Sequence, residues 1–69
     1  MQYLINTAEF PRPEKPRPPV LVEAPDEAAI MAKAEEIVQQ VRSEGAEKVR
    51  VQVRQAVNLV LVGHAGDEA

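Results

Sequence analysis

The chain has 69 residues, no cysteine, one histidine and a formal net charge of −3. That length fits one domain, and the absence of thiols excludes disulfides, cysteine zinc sites, iron–sulfur clusters and thiol nucleophiles. No run approaches the ~18 apolar residues of a membrane span, and so slight a charge neither draws in a polyanion nor imitates one.

Catalytic groups are scarce. Ser43, Thr7 and His64 are each the sole residue of their kind. A Ser–His–acid relay would have to join the end of a helix to a C-terminal tail. The chain is therefore read as not an enzyme, with no catalytic residue, metal or cofactor. Met1–Ile5 has neither a basic region nor a long apolar block, so no secretory signal is expected and the expected location is cytoplasmic. Chains below about 70–80 residues usually need a disulfide, a metal, an exceptional core or a partner subunit. The first two are closed here, which predicts a larger protein partner, a homo-oligomer, or both.

Residues 2–10 hold both aromatics, Tyr3 and Phe10, and predict a strand or arm. Residues 11–19 follow, with five prolines in nine positions. Proline forbids helix and removes ladder donors, so this stretch is a spacer that reaches about 28 Å as polyproline II. Val20–Glu23 predicts a short, apolar strand.

Residues 26–44 carry the clearest signal. Pro25 suits a first helical position, or Asp26 is the N-cap if the helix begins one residue later. Ile30, Ala34, Ile37 and Val41 recur at helical spacing with Met31 and Val38 beside them, a broad apolar stripe. Gly45 is the expected C-cap. The five acidic and two basic groups of residues 25–46 place the net negative charge on this segment.

Val49, Val51 and Val53 alternate with Arg50, Gln52 and Arg54, the pattern of a half-buried strand with a basic side. Residues 58–63 predict another strand. The link between them lacks glycine and proline, so two readings stand: a hairpin, which is preferred, or one strand over 48–62, about 50 Å long. The tail from 64 to 69 is expected to be loose.

The expected fold is α+β, one amphipathic helix on a small, mainly antiparallel sheet of three or four strands, in the order β–proline-rich linker–β–α–β–β. Its parts are an N-terminal strand or arm (1–10), a proline-rich spacer (11–19), a βαββ domain (20–63) and a flexible tail (64–69).

Function is sought in surfaces. The Pro-x-x-Pro spacings 13/16 and 16/19 lack the flanking basic residue of usual SH3 ligands, which favours a stiff spacer. Lys48, Arg50 and Arg54 form a basic face with no aromatic residue interleaved, which tells against single-strand binding and favours a solvated sheet face. Glu35, Glu36 and Glu44 form an ordinary solvated helix face. His64 lies in Gly63-His-Ala-Gly66, without the lysine and following helix of a phosphate loop. The run from Leu59 to Val62 is apolar in both phases, more than one helix can cover.

The expected function is a small non-catalytic protein-interaction module, an inhibitor or accessory subunit that docks through its sheet edge and N-terminal arm. The candidate partner-binding residues are Tyr3, Phe10, Arg12 and Arg17 from the arm and spacer. Arg50, Arg54, Val60 and Val62 join them from the sheet. The alternative is nucleic-acid binding through Lys48, Arg50, Arg54 and the arm's Arg12, Lys15 and Arg17.

The run Val20-Leu-Val-Glu-Ala-Pro-Asp-Glu-Ala28, the helix, Gly45 and Val49–Arg54 together resemble the strand–helix–strand module of small phage-encoded inhibitors, among them inhibitors of RNA polymerase and anti-CRISPR proteins. The resemblance covers residues 20–54 and carries no functional residue across. It implies a binding protein that docks a sheet edge or charged face on a larger target.

Overall fold

The computed structural model describes every residue except Pro13, Glu68 and Ala69, so one spacer position and the last two tail positions lie outside the description. Its elements are β1 (Gln2–Phe10), β2 (Val20–Glu23), α1 (Glu27–Ser43), β3 (Lys48–Gln55) and β4 (Leu61–Gly66). The four strands form one antiparallel sheet in the order β2-β1-β3-β4, with the helix on one face, the expected α+β fold.

The helix starts where its cap chemistry dictates. Asp26 is the N-cap in extended backbone, and its Oδ1 accepts from the Ala29 N–H at 2.8 Å. At the other end Gly45 has φ +109°, its N–H donates to Arg42 O at 3.0 Å, and the Ala46 N–H donates to Val41 O at 3.4 Å. Those two bonds are the Schellman pattern, which satisfies carbonyls the last turn leaves open.

The core lies between the helix and the inner face of the sheet. Ile30, Ala34, Val38 and Val41 pack on Tyr3, Ile5, Val49, Val51, Val53 and Ala65. Ile37 and Met31 flank this row and are only partly buried, so the deepest line steps four, four and three residues along the helix. The valines of β3 are fully buried, as the alternation predicts.

One expectation is resolved and two change. Residues 1–10 are the strand and not the arm: β1 is a central strand, so the domain includes it, paired with β2 through Gln2–Ile5 and with β3 along Tyr3–Phe10. Tyr3 and Ile5, both on its inner side, fill the core, and this burial is what places the strand inside the sheet. The proline-rich segment is accordingly the loop between two sheet neighbours. It starts at a cis Phe10–Pro11 peptide, and Arg17 ties it down with Nε 2.8 Å from Glu9 and Nη2 2.7 Å from Glu44.

The last strand is also displaced. The hairpin reading holds, but β4 occupies Leu61–Gly66 and not 58–63. The cause is packing. The inner residues of β4 are Gly63 and Ala65, opposite Val53 and Val51, and small residues let the helix approach. A Cβ on Gly63 would stand 3.1 Å from Met31 Sδ.

The expected loose tail is thus ordered through Asp67. Asp67 Oδ2 accepts from Arg42 Nη2 at 2.8 Å and from the Val49 N–H at 2.9 Å. These two donors, Arg42 before Val49, hold its carboxyl below the usual aspartate range.

Candidate functional site

Among the described residues no helix covers the outer face of the sheet. The register sets its side chains in rows: Leu21, Leu4, Arg54 and Leu61; then Asn6, Gln52 and His64; then Ala8 and Arg50; then Phe10 and Lys48. His64, expected in a tail, therefore stands on this face, and the two ends of the face differ in chemistry.

The first end is the β3–β4 turn. Its backbone is closed by the Leu59 N–H donating to Gln55 O (2.8 Å), the Gln55 N–H to Val60 O (2.9 Å) and the Ala56 N–H to Gln2 O (3.1 Å). Asn58 adds a local turn, its Oδ1 accepting from the Val60 N–H at 3.1 Å. Arg54 braces the loop, with Nη1 donating to Leu59 O at 3.2 Å and Nε to Gln52 at 3.3 Å. Arg54 is thus engaged in holding the hairpin.

Within this framework the side chains point outward. Val57 is 95% exposed and Leu59 and Val60 are each 53% exposed. Leu61 is exposed beside them. Leu59 also has φ +59°, the left-handed region that disfavours a branched side chain and that glycine or asparagine usually fills. One residue thus combines two unfavourable features, exposed apolar surface and a left-handed backbone.

The turn continues into a free strand edge. Val53 opposes Gly63, Val51 opposes Ala65, and the Asp67 N–H donates to Val49 O at 2.7 Å. By this alternation the backbone groups of His64 and Gly66 point away from β3. The six residues of β4 include no Lys, Arg, Asp, Glu or Pro, the usual protections of an edge. The other edge, β2, has only four residues, ends on Glu23 and follows Pro18-Pro19.

The second end holds Phe10, Arg12, Lys48 and Arg50, which line one surface depression of about 250 Å³ together with Glu9 and Asp67. Phe10 is 58% exposed and sits directly opposite Lys48 in the sheet.

The structure separates the remaining candidate residues. Tyr3 is buried and belongs to the core, so it offers no partner surface. Arg17 is engaged with Glu9 and Glu44, which raise its pKa in that order. Val62 lies at the irregularity of β4 and packs partly on the core, whereas Val60 is on the exposed turn. Sequence reasoning put Val57 in the link and Leu59 in the strand 58–63, and singled out neither as a docking residue. Only the Asn58 turn signal pointed otherwise. Ser43 Oγ donates to Gln40 O at 2.6 Å in its own helix. Among the described residues no helix is long and apolar enough to cross a membrane. No known family model, curated protein or solved structure matches the chain.

Proposed function

We propose that the protein is a small non-catalytic interaction module, an inhibitor or accessory subunit. It docks on a larger protein through the Val57–Leu61 turn and the adjoining edge of β4. The observation that carries this reading is Leu59, exposed and apolar at φ +59°. A residue that costs stability at both its backbone and its side chain is explained by what it touches in a complex. The free edge adds backbone hydrogen bonds to an extended segment of the partner, and the apolar turn supplies a side-chain anchor.

The N-terminal segment contributes from inside, as the central strand that fixes the sheet. The site of action is cytoplasmic on this reading, and the chemistry is recognition.

The test is capture of partners from native host extract with two baits, the natural chain and Leu59→Gly. The natural chain recovers a partner and the glycine variant recovers at least tenfold less. Equal recovery by both baits would remove the turn from the docking surface.

A further inference from the structure

We propose that the opposite end of the open sheet face binds single-stranded nucleic acid, with Phe10 as the stacking platform and Arg12, Lys48 and Arg50 as phosphate contacts. This site lies at the other end of the sheet from the docking turn, although Gly66, at the far end of the β4 edge, pairs with its Arg50. Phe10 pairs with Lys48, whereas the turn begins beyond Gln55, which pairs with Tyr3 seven residues along β1. At ~3.3 Å per residue the two ends are about 23 Å apart.

Sequence spacing hides this cluster. Phe10 and Lys48 are far apart along the chain, and no aromatic residue lies within β3. The antiparallel β1–β3 register sets the ring beside the lysine, with Arg50 opposite Ala8 on the next outward row. Arg12, just past the end of β1, lines the same depression. An exposed ring next to three cations is the combination that single-strand binders use: bases stack on the ring, and the backbone tracks the positive charge.

The acidic groups nearby are mostly occupied. Glu9 is held by Arg17 and Asp67 by Arg42. Among the described residues neither Arg12, Lys48 nor Arg50 is in an ion pair. Glu47 also stands beside the cluster, its N–H donating to Phe10 O at 2.8 Å. The net negative charge of the chain sits on the helix segment, on the far side of the sheet. Charge complementarity therefore selects an anion for this face although the whole chain is acidic. A duplex is disfavoured, because its bases are already stacked and the acidic helix adds no second contact to its backbone.

Fluorescence anisotropy with a labelled mixed-sequence 12-nucleotide single strand, as DNA and as RNA, tests the assignment. Binding is expected at low salt. Three phosphate contacts give a slope of log K against log[salt] of about −2, a loss of roughly 20-fold between 50 and 200 mM. Phe10→Ala, a change at an exposed ring that circular dichroism checks for folding, lowers affinity about tenfold at unchanged slope. Lys48→Gln flattens the slope to about −1.4, and Glu47→Gln tightens binding. Leu59→Gly leaves all of this unchanged, so failure of the docking turn and failure of this site are separable. No binding at 20 mM salt overturns the proposal. So does a Phe10→Ala variant that binds as well as the natural chain, a duplex bound more tightly than the single strand, or a polyglutamate peptide of equal charge that competes equally.

Discussion

At the scale of single residues, the stability of this chain is set by a few backbone positions. Gly45 and Gly66 both have positive φ, at +109° and +88°. A Cβ on Gly45 would meet nothing within 4 Å, so Gly45→Ala carries only the conformational cost, about 1 kcal/mol. A Cβ on Gly66 would run into the Val49 carbonyl and the Val38 side chain. Gly66→Ala is therefore expected to cost several times more, or to detach the end of β4. Urea unfolding of the two variants measures the difference, and equal midpoints would contradict it. Leu59 has the opposite sign: Leu59→Gly relieves a left-handed leucine and raises stability by up to about 1 kcal/mol while it weakens docking. A glycine variant less stable than the natural chain would mean that the leucine serves the fold.

At the scale of elements, the helix is the most self-contained piece. Asp26→Ala removes the acceptor for the Ala29 N–H and should cost about 1 kcal/mol, read as a lower thermal midpoint. An aspartate at Ile30, which is fully buried, should unfold the domain, whereas the same change at Ile37 is milder because that side chain stays partly exposed.

The helix and β3 were legible because their periodicity is strict and their caps follow local rules. Asp26 and Gly45 do what their side chains, or the lack of one, permit. β4 was not legible. Its inward positions are Gly63 and Ala65, selected for close approach to Met31 and carrying almost no hydrophobic signal. The strongly apolar run beside it, Leu59 to Val62, was claimed by a strand reading although it begins in a turn. The central position of β1 was hidden as well. Strand order is decided by long-range pairing, and the proline-rich loop that returns to β2 resembles a tether until Arg17 is seen bridging Glu9 and Glu44. At the candidate surfaces, Phe10 and Lys48 meet only through the register.

At the scale of the whole molecule, charge and surface are both unevenly distributed. The negative charge lies on the helix side and the basic cluster on the open sheet face. The two ends of β4 are also held differently. At the turn end exposed apolar side chains wait on the surface, and at the other end Asp67 clips the strand to Arg42 and Val49.

The clip has a pH signature. The folded-state pKa of Asp67 is depressed, so its contribution is complete above the ordinary aspartate value of 3.8 and is lost as pH falls through the lower folded value. Asp67→Asn should remove part of the acid-side loss of stability while weakening the fold at neutral pH. Acid titrations of the two chains with the same slope below pH 4 would refute that role.

The docking assignment makes a residue-level demand on β4. Amide hydrogen exchange, followed by NMR in the free chain and in the captured complex, should show His64 and Gly66 exchanging fast when free and strongly protected when bound. Unchanged exchange at both amides, with protection appearing instead at Leu21 and Glu23 on the opposite edge, would contradict the assignment.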